Sequence, residues 1–580
     1  MRPVLVALAA LLAAPAAAAA ESVVAFPSPG DEVASPRTEI SFRGTTRGKI
    51  GAVRVRGSSS GRHSGRLRRH SDGGGVSFVP DRPFRSGERV RVRTFRSILG
   101  ASNGDFSFQI AHEPRRIGPL QIQIPPNPNP DVVDRYRSRR DLAPARVNVA
   151  VRRPGTAPGL IFLAPKKGPG QSGPLIVDDS GAPVWFKPMP GKIKAADFRV
   201  QRYRGKRVLT WWQGKILGGE GRGEMVIYDK RYRRVARVRA GNGYGADLHE
   251  FEITPEGTAL LMIYAPVRRD LRALGGSRRA LVTDNIIQEI DIPTGRVLFE
   301  WHSLDHIGVR DSKFPRPDER LTPWDYFHAN SLARDADGNL LFNARHTWAL
   351  YKIHRTRGRI IWQLGGPHSD FPISSDVRFA WQHDGRRAAD GTITFFDNEA
   401  QPPVRPHSRL LALRVDEQAR TVSVQRAIEH PDGLLAASQG NHQVLPNGNV
   451  FVGWGSLGAF SEFAPDGRLL LDARVPRSSD TYRAFKARWV GRPPGRPAAA
   501  ASRDGRDVTV WASWNGATEI DRWQVVAGNS AASLTPVGSE SRAGFETRIE
   551  VRTGKRYVAV RALDADGRNL HRSRVFEPAS

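Results

Sequence analysis

Five short segments concentrate residue types able to move a charged group: DLHEF (Asp247–Phe251), FHANS (Phe327–Ser331), FNARHT (Phe342–Thr347), WQHD (Trp381–Asp384) and FFDNEA (Phe395–Ala400). They carry His249, His328, Arg345, His346 and His383, with Asn330 and Trp381 alongside. An imidazole near neutral pH serves as a nucleophile or as a proton donor and acceptor. A guanidinium stays charged and offers paired hydrogen bonds to an oxyanion. Two chemistries fit this inventory: transfer of a tetrahedral anionic group, or a histidine site for copper, zinc or iron. Arg345 favours the first, because a fixed cation repels a divalent ion and stabilises a bound oxyanion. No metal ligand is assigned.

These segments act together only if distant parts of the chain converge. From about Gly159 a hairpin pattern recurs six times: an apolar run, a turn rich in Asp, Gly, Lys or Arg, and a second apolar run. The turns lie at DDSGA (Leu175–Phe186), DKRYR (Met225–Val238), DIPTG (Ile287–Trp301), RTRG (Leu350–Leu364), DEQA (Leu410–Ala427) and APDG (Ala459–Val475). Their separation of roughly 50 to 65 residues predicts four-stranded blades of a propeller over residues 159–478. A second repeat runs in step with the first. His249, His328, His383 and His442 each precede a turn (TPEG, DADG, AADG, LPNG) and a strongly apolar strand. One such histidine is better explained as an ordinary loop or core residue. Four at one phase of a repeat point to a shared channel, with His442 the secondary member. Trp211, Trp212, Trp324 and Trp381 could stack on an aromatic ligand, although packing between blades explains them as well. His302, His306, His354, His368, His407 and His430 fall in turns or variable loops and read as solvent-facing.

The flanks read as smaller β-modules, so the whole chain is expected to be all-β. Residues 22–112 alternate apolar and polar positions in short runs and predict a β-sandwich. Residues 113–158 hold a linker, QIQIPPNPNP at Gln121–Pro130, and the first strands of the next unit. Residues 485–580, with VTVWASWNGA and YVAVRALDADGRNL, resemble a fibronectin type III module. Such modules are spacers or attachment surfaces, here for cell-surface association, and no chemistry is assigned to it.

Residues 1–20 contain Arg2 and then an unbroken alanine-rich apolar stretch ending in small residues before Glu21, the pattern of a cleaved signal peptide. That predicts a secreted, periplasmic or cell-surface protein with no integral membrane segment after cleavage. The 580 residues include no cysteine, which excludes disulfides, thiolate metal sites, cysteine nucleophiles and a lipoprotein anchor. The formal charge of +30 comes mostly from arginines scattered along the chain, with a concentration near Arg54–Arg69. It favours anionic small substrates or anionic cell-surface polymers, and nucleic acid is not an expected partner.

The order His, His-x-Asn, Ala-Arg-His, Gln-His and Phe-Asp-Asn resembles the arylsulfotransferase (arylsulfate sulfotransferase) family over about Gly159–Val475. The resemblance implies an exported six-bladed propeller that moves a sulfuryl group from an aryl sulfate to a phenol through a sulfated histidine. Motif by motif, His383 falls at the nucleophile, His328 and Arg345 at the sulfate-binding pair, and His249 at the remaining catalytic histidine. Asn330, His346, His442 and Trp381 are assigned to substrate binding. In such a reaction negative charge builds on the phenolic oxygen as the S–O bond breaks, so a nucleophile, a fixed cation and proton donors are all needed. Which of His249 and His328 is the general acid or base stays open. Ping-pong kinetics are expected, with no cofactor and no nucleotide sulfate donor, since no phosphate-cradling glycine loop is present. The sequence departs from the family in lacking the disulfide of some exported members and in its extra C-terminal module. A non-catalytic propeller that binds an aromatic, glycan or protein ligand is the alternative.

Overall fold

The computed structural model describes residues 23–114, 133–318 and 322–580. The expected signal peptide and the proline-rich linker Gln121–Pro130 lie outside the described residues. The protein is all-β, built from many small antiparallel sheets. No helix among the described residues is long and apolar enough to cross a membrane.

At the N-terminal end, two four-stranded sheets face each other. One orders Val24–Phe26, Ile40–Arg43, Gly75–Pro80 and Gly65–Arg69; the other orders Gly61–His63, Arg54–Gly57, Arg89–Arg93 and Asp105–Gln109. Alternation decides which side is covered: in Arg89–Arg93 the two valines are buried and the three arginines exposed. Val55, Val90, Val92, Phe106 and Phe108 join Phe42 and Phe78 in one core.

The middle of the chain forms successive sheets of four strands each, the last of them extended by a fifth. The sheets begin at Lys194–Tyr203, Phe251–Ile253, Ala329–Arg334, His383–Arg387 and Asn441–Val444, and each of the first four of these strands packs against the next one named. A further sheet orders Pro183–Phe186, Leu175–Val177, Leu160–Leu163 and Phe485–Ala487. Interior strands such as Ala280–Ile290 are buried at every position, and their polar side chains, Asp284 and Asn285 among them, are hydrogen-bonded inside. Asn148–Arg152 adds to Leu469–Arg474 as the fifth strand of the last sheet. Phe485–Ala487 corrects the boundary expected at residue 485: it pairs with Leu160–Leu163 and closes a central sheet with sequence-distant strands.

The C-terminal sheets start only at Ala498–Asp504, and Trp523, Val525 and Val560 lie in the core between them. His302 and His430 also depart from the reading as solvent-facing. His302 is buried between Asp284 and Glu300, and His430 contacts Asp472. The carboxylate partners make burial of these imidazoles tolerable.

Candidate active site

The site is assembled at the leading ends of the inner strands. His249 precedes Phe251–Ile253 by two residues, His328 immediately precedes Ala329–Arg334, and His383 opens His383–Arg387. The backbone of His328 takes a φ of 52°, a left-handed conformation that non-glycine residues adopt infrequently.

Two of the imidazoles are held in the same way. The Nδ1 of His249 bonds Asp247, whose Oδ1 also accepts the His249 amide at 2.9 Å. The Nδ1 of His328 bonds Asp325, whose Oδ1 accepts the His328 amide at 3.1 Å. A carboxylate on Nδ1 fixes the ring and stabilises its protonated form, leaving Nε2 as the working nitrogen. The two rings stand 5.2 Å apart, edge to face. Tyr264 stacks on His249 at 5.4 Å while its hydroxyl donates to the Ala329 carbonyl. Asp247 is reached by the Gly221 amide at 2.5 Å, an approach that needs glycine because a Cβ there would lie 2.7 Å from the Leu248 nitrogen.

His383 is held differently. It is buried, its Nδ1 lies 2.6 Å from Asn398 Oδ1, and its Nε2 accepts the Gln439 amide at 3.1 Å. The Asn398 amide nitrogen donates to the Ala436 and Gln439 carbonyls, so its oxygen must face the ring and accept Nδ1–H. Burial, followed by the charge on Arg345, holds the His383 imidazole well below its usual pKa, so it is neutral at pH 7. His328 is lowered as well, mainly by burial, but Asp325 opposes that shift. Asp325 itself is held at about 2: burial pushes it up, and His328 more than offsets this.

Arg345 joins the two arrangements. It is 8% exposed, and the acceptors recorded for it are neutral: His346 Nε2 at 2.8 Å, the Ala400 carbonyl at 3.2 Å and the Ala437 carbonyl at 3.1 Å. Its Nε is buried with no partner, and Trp381 lies under the guanidinium at 4.9 Å. Burial lowers its pKa to about 10, which leaves it cationic at neutral pH. Most buried cations are paired with carboxylates. Arg345 instead keeps donor capacity toward the imidazoles, whose pKa values register its charge.

The remaining expected residues divide. His346 stacks on Phe314 at 4.3 Å, lies 4.6 Å from His328, and places its Nδ1 2.5 Å from the Asp325 carbonyl. Nδ1 therefore carries the proton and Nε2 accepts from Arg345, so His346 orients the guanidinium. Asn330 is fully buried, with its amide bound to the Gln382 carbonyl at 2.8 Å and to Asn343 at 2.7 Å, a use that is internal to the fold. His442 is the second residue of its strand, one step out of phase with His383, and it lies among Asp384, Arg426 and Asp390 with its pKa pushed to about 4 by burial. Trp211 and Trp212 are fully buried in cores. Asp247, Asp325, Asn398, Gln439 and Tyr264 complete the site without having been assigned roles from sequence. The D-x-H and D-x-x-H spacings were the available signal for the two aspartates.

Asp325, His328 and His346 bring one potential metal-ligand atom each within 4.8 Å of the others. The Nδ1 atoms of both histidines are already bound to Asp325, and Arg345 occupies Nε2 of His346. A divalent cation here would have to displace a guanidinium and then sit beside it, so the donor set fits an anion better.

Residues 199–475 match the arylsulfotransferase (ASST) family model. Over this region the chain is similar to the arylsulfotransferase family. The match spans His249, His328, Arg345 and His383, supports arylsulfotransferase-type function, and implies phenols and aryl sulfates as substrates. No curated protein matches the chain. Among solved structures, a Bacteroides caccae protein of unknown function is 13% identical, with 57% of this chain and 99% of that one covered and a TM-score of 0.35. A streptogramin B lyase is 11% identical over 56% and 87%, with a TM-score of 0.31. Staphylococcus aureus virginiamycin B lyase is 10% identical over 64% and 96%, with a TM-score of 0.28. Likenesses at this level carry no argument about the arylsulfotransferase region.

Proposed function

We propose that the protein is an exported arylsulfate sulfotransferase that works by a ping-pong mechanism through a sulfohistidine at His383. In this reading the central sheets are the blades of a six-bladed propeller, flanked by an N-terminal β-sandwich and a fibronectin type III-like module. The observation that carries the proposal is Arg345, a buried guanidinium with neutral acceptors and an unpartnered Nε, set beside three imidazoles.

The partners on Nδ1 sort the histidines. Burial and the charge on Arg345 keep His383 neutral, Asn398 Oδ1 accepts its Nδ1–H, and the Nε2 lone pair is available to attack sulfur once the Gln439 amide releases it. Asp247 and Asp325 bond Nδ1 of His249 and His328, which leaves Nε2 of each to pass a proton. In the first half-reaction His383 Nε2 bonds to sulfur, the S–O bond of the aryl sulfate breaks, and the departing phenolate takes a proton from His249 or His328. In the second, the acceptor phenol returns its proton to that histidine, its oxygen bonds to sulfur, and the N–S bond breaks. Arg345 holds the sulfuryl oxygens throughout, and the acid-base partner contributes about 10² to 10⁴ in rate.

Purified protein should transfer sulfate from 4-nitrophenyl sulfate to phenol and should gain the mass of one sulfuryl group when no acceptor is present. His383→Ala should abolish both. An unchanged intact mass together with no acceptor-dependent release of 4-nitrophenol would instead favour a non-catalytic ligand-binding propeller.

A further inference from the structure

The N-terminal sheet built from Gly61–His63, Arg54–Gly57, Arg89–Arg93 and Asp105–Gln109 turns one face into the core and the other into solvent. Strand alternation loads the outer face with arginine. Arg62 pairs across to Arg56, and Arg56 to Arg91, which forms one row over three strands. Arg54 pairs across to Arg93 in the next row, and Arg89 extends the face. Cross-strand neighbours lie about 4.8 Å apart and same-face residues along a strand about 6.8 Å apart, so the face is a regular grid of like charge. Like charges directly opposite one another destabilise a sheet, and folding alone gives no reason to keep them.

The carboxylate on this face is Asp105, which bonds both Arg91 and Arg93. Arg54, Arg56, Arg62 and Arg89 are exposed and form no ion pair among the described residues. A groove of about 990 Å³ runs along the sheet, lined by Arg54, Arg89, Arg91, Arg93 and Phe95 among others. Phe95 is 76% exposed, the most exposed large apolar side chain among the described residues. Guanidinium groups bind sulfate or carboxylate in paired geometry, and an exposed aromatic face packs against the apolar face of a sugar ring.

We propose that this face is a docking site for a linear anionic polysaccharide, with the arginine grid binding its charged groups and Phe95 packing on a sugar ring. Charge complementarity selects a polyanion, and the aromatic ring in the same groove selects a saccharide over an inorganic chain.

The test is binding of the full chain to a size-defined heparin oligosaccharide, with polyphosphate and duplex DNA as comparison probes. Heparin should bind at 0.1 M salt and be released near 1 M, where the screening length falls from about 10 Å to about 3 Å. Arg54→Glu with Arg56→Glu should weaken binding on the order of tenfold without lowering the thermal unfolding midpoint, since both side chains are solvent-exposed and the change relieves cross-strand repulsion. Phe95→Ala should weaken heparin roughly threefold to tenfold without affecting polyphosphate. Lys206→Glu with Arg231→Glu, in a separate basic groove, should leave heparin binding unchanged. The proposal fails if heparin does not bind at 0.1 M salt or if the sheet substitutions have no effect. It fails equally if the second groove proves responsible, or if polyphosphate or DNA binds as tightly as heparin and heparin is indifferent to Phe95.

Discussion

Replacing Arg345 by methionine separates function from stability. At about 4 Å and an effective dielectric constant near 20, a guanidinium and a singly charged sulfuryl group attract by about 4 kcal/mol. At about 1.4 kcal/mol per decade, removing that attraction lowers kcat/KM by up to about three orders of magnitude. Stability should respond in the opposite sense or barely at all. Methionine fills much of the volume and removes the desolvation cost of a buried cation that has no carboxylate partner, while three acceptors each lose one hydrogen bond. The net change should stay within about 2 kcal/mol. A third effect has a defined sign: Arg345 depresses His383, so its loss lets His383 take up a proton at higher pH and shifts the acid limb of the rate profile upward. Steady-state kinetics with 4-nitrophenyl sulfate across pH, alongside thermal unfolding, measure all three. A loss in kcat/KM below tenfold, or a collapse in unfolding temperature, would refute the assignment of Arg345 as the anion anchor.

Further outcomes follow from the same geometry. Asp325→Asn keeps a hydrogen-bond acceptor for His328 but removes its charge; kcat/KM should fall about 10- to 100-fold and the apparent pKa of His328 should drop, as read from the pH–rate profile. Arg483 reaches Asp197 at 3.0 Å, Glu250 at 3.1 Å and Asp384 at 3.3 Å in the interior, so Arg483→Met should cost about 3–5 kcal/mol in denaturant unfolding by leaving buried carboxylates uncompensated. Glu250 is held at about 2: burial pushes it up, but Arg483, Arg199 and Arg386 more than offset this. Its stabilisation is therefore complete above its unfolded value near 4.5 and is lost as pH falls toward 2. His383 and His346, depressed in the folded state, add a loss that begins as pH drops below about 6.5, because the unfolded chain binds protons that the native site refuses. Thermal unfolding between pH 2 and 8 should therefore show two successive declines on acidification.

The strand content and the repeating hairpins were readable in the sequence because they depend on short-range rules. Period-2 alternation in Arg89–Arg93 and Asp-Gly turns between apolar runs are local properties of a few residues. The identities of His249, His328, Arg345 and His383 were legible as motifs for the same reason. What each side chain touches was not. Asn330 and His346 flank the proposed catalytic positions in the same motifs, yet one is spent on the Gln382 carbonyl and the other orients Arg345. His442 precedes a turn and an apolar strand as the other three histidines do but is the second residue of its strand where His383 is the first, and a shift of one position in a strand sends a side chain to the opposite face. Phe485–Ala487 reads as the start of a terminal module, but its ladder partner lies more than three hundred residues away at Leu160–Leu163. The aspartates of His249 and His328 lie two and three residues away in the chain, but whether an arginine meets a carboxylate or a carbonyl depends on contacts between distant strands. Burial and the charge on Arg345 set the proton affinity of His383, so only the tertiary structure shows that imidazole to be neutral.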